Sequence, residues 1–197
     1  MEQEQLKRLK GLSGKVRGVA FATDAKYVVK KIGESGLQKL IEKTKELGWE
    51  IDYQDIRVMD WYPIGQRALS LIAVQEAFNF GSKEIKEMGN IAPKHSLIAG
   101  VMMKYFISLA KIAKEAPKYW QQHYTVGVLE SYKLDEKNRK MILRLKDFKI
   151  HPVMCPYVEG YFLMIAQFVV KSEKINVEET KCELKGDPYH EFTVTWE

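Results

Sequence analysis

The chain has 197 residues, 46% hydrophobic and 29% charged, a balance that excludes a largely disordered protein and allows one sizeable core. Lys plus Arg is 31 against 26 for Asp plus Glu, but only six of the basic residues are arginine, the residue that bidentate phosphate recognition favours, so no nucleic-acid partner is expected. Two cysteines exclude a disulfide scaffold, and neither an apolar signal segment in Met1–Gln5 nor an uninterrupted apolar run of about 18 residues is present, so a cytoplasmic protein with no membrane partner is expected.

The first block, 1–58, is the most polar and reads as helical. Asp24 suits the cap of a short helix from Ala25 to Ile32, ended by Gly33. Ser35 and Gln38 have the spacing of a capping box, and Leu37, Leu40, Ile41, Thr44 and Leu47 form one stripe of the helix that follows, up to Gly48. The middle block, 59–123, opens a helix at Pro63 that runs to about Phe80. A short helix, Lys83 to Met88, follows, and then a long one from Pro93 to about Glu115, stopped by Pro117. That helix is apolar over most of its circumference and so reads as central and buried.

The period then changes. Tyr124–Tyr132 and Lys140–Phe148 read as strands joined at Asp135–Asn138, because Met141, Leu143 and Leu145 alternate with polar neighbours. Pro156–Val170 is a helix with only Glu159 and Gln167 as polar side chains, which also requires burial. Strands at Ile175–Glu183 and Tyr189–Trp196 flank a turn at Lys185–Pro188, with Phe192, Val194 and Trp196 on one face. The order predicts an α+β fold: a helical layer on an antiparallel sheet of about four strands, in one domain, 1–197, whose core lies in 59–197.

One constellation carries metal chemistry. Cys182 and His190 face each other across the last hairpin, and Cys155 stands at the start of the buried helix, giving three corners of a tetrahedron. Glu179 offers a fourth, but in a regular strand it points away from Cys182, so it needs a bulge. The alternative is two unrelated buried thiols and a surface histidine.

At these residues the chain resembles a known domain. Cys155-x-x-x-x-Gly160, Glu179-x-x-Cys182, Gly186-Asp187 and His190-x-Phe192-x-Val194 are similar to the 4-vinyl reductase-type small-molecule-binding domain. That domain shares a superfamily with haem-NO-binding domains and Golgi transport-particle subunits. Trp61-Tyr62-Pro63 and the closing hairpin resemble, more closely, an uncharacterised bacterial family within it. The resemblance covers about residues 17–197. It implies zinc at Cys155, Glu179, Cys182 and His190, with His190 standing where the family has a cysteine. It implies a homodimer, and a ligand cavity between helices and sheet. Candidates for its lining are Trp61, Tyr105, Phe106, Trp120, Tyr161 and Met164, with Tyr62, Met102, Tyr124 and Phe162 beside them. Alternatively these residues simply fill the core.

Haem is not expected. The Tyr-x-Ser-x-Arg motif of haem-NO-binding domains is absent, His95 reads as a residue of a helix's first turn, and His123 and His151 sit at element junctions. Neither a phosphate-binding loop nor a nucleophile elbow occurs, so no catalytic residue is assigned. The expectation is a sensor or carrier of a small apolar or aromatic molecule with a structural zinc. The rivals are an assembly subunit with a filled core and an enzyme acting on a tetrapyrrole or aromatic.

Overall fold

The computed structural model describes residues 2–95 and 108–197. In chain order the elements are α1 (Gln3–Lys10), β1 (Lys15–Arg17), α2 (Val19–Ile32), α3 (Glu34–Glu46), β2 (Trp61–Pro63), α4 (Ile64–Phe78), α5 (Ser82–His95), α6 (Leu109–His123), β3 (Val128–Asp135), β4 (Lys140–Lys146), α7 (Met154–Val169), β5 (Ile175–Lys181) and β6 (His190–Trp196). A 3-10 turn, Glu183–Lys185, joins β5 to β6. The fold is α+β, with seven α-helices among the described residues and an antiparallel four-stranded sheet ordered β3-β4-β6-β5. Strands β1 and β2 form a separate antiparallel ribbon. Among the described residues no helix is long and apolar enough to cross a membrane.

Alternation builds the sheet. On β4, Met141, Leu143 and Leu145 are buried, and their partners Val194, Phe192 and His190 on β6 are buried with them. Helix α7 lies over this face and buries Met154, Tyr157, Val158, Phe162 and Met164. On its other side it meets α5 at close range. A Cβ on Gly89 would stand 2.0 Å from the Tyr157 carbonyl oxygen, and one on Gly160 1.9 Å from that of Lys86. Only glycine allows two helix backbones to approach so closely.

Several local expectations give way to tertiary context. Helix α2 begins at Val19, so Asp24 is an interior, buried residue rather than a cap. The box at Ser35 and Gln38 does not form, because α3 starts at Glu34 and Gln38 donates to Glu42 at 3.3 Å. Pro63 is the residue before α4 rather than its first. Pro93 does not open a helix but lies inside α5, and Pro117 does not stop one but lies inside α6. A proline removes one hydrogen bond from a helix. Packing against α7 sustains α5, and buried Ile112 and Trp120 anchor α6 on either side of Pro117. Ser108, not Pro93, caps α6, its hydroxyl accepting from the Lys111 N–H at 3.2 Å. The middle of the expected Pro93–Glu115 helix lies outside the described residues. In the part that is described, only Ile112 and Trp120 of α6 are fully buried. The first long strand starts at Val128, not Tyr124, which makes an isolated bridge to Val16.

Candidate functional site

The four proposed ligands come from three elements. Cys155 is in the first turn of α7. Glu179 is on β5, where the pairing with β6 shifts register between Glu179 and Lys181. That irregularity is the extra residue the spacing required, and it brings Glu179 to the side of Cys182. Cys182 follows β5 directly, its N–H held by the Asp187 carboxylate at 2.8 Å. His190 opens β6 opposite Leu145, facing inward with Phe192.

The structure brings all four together, with their donor atoms within 4.8 Å of one another. The Cys155 and Cys182 sulfurs are 3.9 Å apart, and His190 Nδ1 lies 2.7 Å from Glu179 Oε1. Around them stands a second set of acids. Glu159 accepts the Glu179 N–H at 2.6 Å and pairs with Lys86 at 3.1 Å. Glu183 accepts the Phe148 N–H at 2.9 Å, and the same oxygen lies 3.8 Å from His190 Nε2, a buried nitrogen without a hydrogen-bond partner. Burial, then the charge of Glu179, pushes the Cys155 thiol up. Two thiols, an imidazole and a carboxylate converging in a buried site form a donor set that a tetrahedral Zn²⁺ accepts. Four protein ligands leave no open position for chemistry.

The second feature is a cavity between α6, α7 and the sheet, with about 810 Å³ of empty space, part of it open to solvent. Of the residues proposed for the pocket, Trp120 and Tyr161 line it, together with Tyr124 and Phe162. Trp61 and Met164 do not: Trp61 lies under the Arg17 guanidinium at 3.8 Å, and Met164 is buried elsewhere in the core. Met102, Tyr105 and Phe106 lie outside the described residues, as does the side chain of His95. Sequence reasoning missed Tyr119, His123 and Tyr157. The i, i+4 spacing of Tyr119 and His123 was the available signal. The aromatic wall is ordered: Trp120 stacks on Tyr124 at 4.4 Å and donates its indole N–H to the Val126 carbonyl at 3.0 Å. His123 Nδ1 donates to the Tyr119 carbonyl at 3.1 Å, which leaves Nε2 as the basic nitrogen. Burial lowers the His123 pKa and so favours the neutral, ligating ring.

Behind the cavity lies a polar group that composition gave no hint of. Arg67 of α4 is completely buried, pairs with Asp24, and rests 4.3 Å over the Tyr157 ring. Asp24 also accepts from the Ser70 hydroxyl at 2.7 Å, and Tyr53 joins Ser70 at 2.8 Å.

No protein-family model and no curated protein sequence matches the chain. Solved structures do. An H-NOX protein from S. oneidensis in the Fe(II)NO ligation state superposes with a TM-score of 0.70 at 16% identity, covering 92% of this chain and 99% of that one. An oxygen-binding H-NOX domain related to soluble guanylate cyclases gives 0.63 at 16% identity, covering 92% and 95%. A protein solved to show how protein-induced porphyrin distortion modulates haem redox potential gives 0.63 at 17% identity, with the same coverage. The expectation against haem is overturned by this likeness: proteins of this fold are solved with Fe(II) and with haem, and a missing propionate motif is too local a feature to set that aside. At these identities the likeness establishes architecture: the chain has the fold of the H-NOX proteins.

Proposed function

We propose that the chain is a small-molecule-binding sensor or carrier domain, one unit over 1–197, whose ligand occupies the cavity between α6, α7 and the sheet. The cavity itself carries the reading. Its described lining holds no carboxylate, lysine or arginine, so its occupant is apolar and flat or acyl in shape. Its aromatic, uncharged lining and its opening to solvent favour an exchangeable occupant over the assembly-subunit alternative.

Haem belongs to that ligand class, and the described residues fit it. Aromatic walls flank the space, and His123 presents a neutral imidazole whose Nε2 would hold the iron. Bound haem supplies an iron centre for diatomic gases, as the solved H-NOX proteins with NO or oxygen illustrate. Tyr124 and Tyr161 would pack along the ring.

The remaining parts of the proposal concern the frame. Cys155, Glu179, Cys182 and His190 hold one structural Zn²⁺, which pins the last hairpin to α7. The same four residues favour the 4-vinyl reductase-type branch of the fold. The working unit is a homodimer.

Native mass spectrometry of the purified chain reads dimer, metal and retained ligand together. Titration with hemin, followed by the Soret band, tests the cavity directly, with His123→Ala expected to remove the axial signature. A protein that takes up neither hemin nor any apolar fluorophore overturns the reading.

A further inference from the structure

The large cavity has a neighbour. A second space, with about 350 Å³ of empty volume, part of it open to solvent, lies against it, and the two share His123, Tyr124, Tyr157 and Tyr161. The first is apolar. The second contains Arg17, from β1, the single charged side chain in the described lining of either space.

Arg17 is held by neutral partners. Its Nε donates to the Gln122 carbonyl at 3.2 Å, Nη1 donates to the Met59 carbonyl, and the guanidinium lies over the Trp61 ring. Among the described residues no carboxylate pairs with it. The guanidinium is therefore held in place at a partly exposed position with no carboxylate beside it, and no described group takes Nη2. A second arginine stands behind the shared wall. Arg67 uses Nη1 on Asp24, and its charge also acts on the Tyr124 hydroxyl in the shared wall. The fields agree in sign at the wall. Burial and then the Arg67 charge act on the Tyr157 hydroxyl, with Asp24 a weaker influence, and the charge of Arg17 reaches His123.

Resting on the cavity reading above, we infer that the ligand is an apolar carboxylate: its body fills the larger space and its carboxylate sits in the smaller one against Arg17. A planar fork of N–H donors matches a carboxylate. No acid in the described lining repels one. A neutral ligand leaves the guanidinium unmatched, and a doubly charged phosphate needs more donors than Arg17 has left.

A matched pair of probes tests this: 1-pyrenebutanoic acid and 1-pyrenebutanol, titrated by fluorescence into the purified full chain. The acid binds at least about tenfold tighter than the alcohol. Arg17→Gln brings the acid to the level of the alcohol and leaves the alcohol unchanged, while Arg17→Lys retains part of the preference. Equal binding of both probes to the unaltered protein overturns the carboxylate and leaves the cavity standing. Equal weakening of both by Arg17→Gln makes Arg17 a frame residue and overturns the inference as well. Binding of neither probe overturns the cavity reading and this one with it. Should Arg17→Gln not fold, the acid-to-alcohol ratio of the unaltered protein and of Arg17→Lys decides.

Discussion

Zinc binding at the proposed cluster of Cys155, Glu179, Cys182 and His190 is expected to tighten the last hairpin. The two sulfurs are 3.9 Å apart. Two 2.3 Å bonds at a tetrahedral angle span about 3.8 Å, so the ion enters without moving either thiol. An ion at a thousandfold its dissociation constant stabilises the folded state by about 4 kcal/mol. For a chain of this length each kcal/mol moves Tm by about 2–4 °C, so chelation lowers Tm by roughly 8–16 °C. Cys182→Ser keeps the volume and removes the sulfur. It is expected to melt with the chelated protein and to ignore added zinc. The assay is metal analysis of protein grown with zinc, paired with thermal melts with and without chelator. Protein that carries no metal, and whose Tm moves by less than about 1 °C on adding zinc, refutes the reasoning.

Three further outcomes are expected. Asp24→Asn leaves the buried Arg67 charge uncompensated and costs about 3–5 kcal/mol in urea unfolding, whereas Asp24→Asn combined with Arg67→Met recovers more than half of that loss; additive losses would show the pair is not coupled. Gly160→Ala places a methyl group 1.9 Å from the Lys86 carbonyl oxygen, forces α5 from α7, and lowers stability by at least about 2 kcal/mol, with wild-type stability as the contrary result. His151 accepts the Val153 N–H on Nδ1 at 3.2 Å, and burial, then Arg8, lowers its pKa below the usual histidine range. The unfolded chain therefore takes the proton first, so this contribution is complete above about pH 6.5 and lost as pH falls through the lower folded value. Melts between pH 7.5 and 5 should show a smaller drop for His151→Gln than for the unaltered protein.

Much of the architecture was legible in the residues. Period-two alternation at Met141, Leu143 and Leu145 marked a half-buried strand, and the apolar run after Cys155 marked a buried helix, because burial of one face imposes a period on the chain. The convergence of Cys155, Cys182 and His190 could be argued from a helix start and a hairpin, and the need for an irregularity at Glu179 followed from strand parity alone. What failed were the ends of elements. Pro93 is a local start signal and Pro117 a local stop signal, yet both lie inside helices, because packing outweighs one lost hydrogen bond.

Other features exist only in three dimensions. Asp24 reads as a cap in sequence and becomes the counter-ion of Arg67, forty-three positions away on another helix. Nothing in local spacing marks that pair, because a buried charge is recognised by what surrounds it. The same holds for Arg17 and His123, from β1 and the end of α6, which meet at one cavity wall only when the β1–β2 ribbon docks beside α6. Composition and periodicity pointed to an α+β domain, and spacing marked Cys155, Cys182 and His190 as residues able to converge. Which side chains face an empty space, and which charges are left without a partner there, was decided by packing between elements distant in sequence.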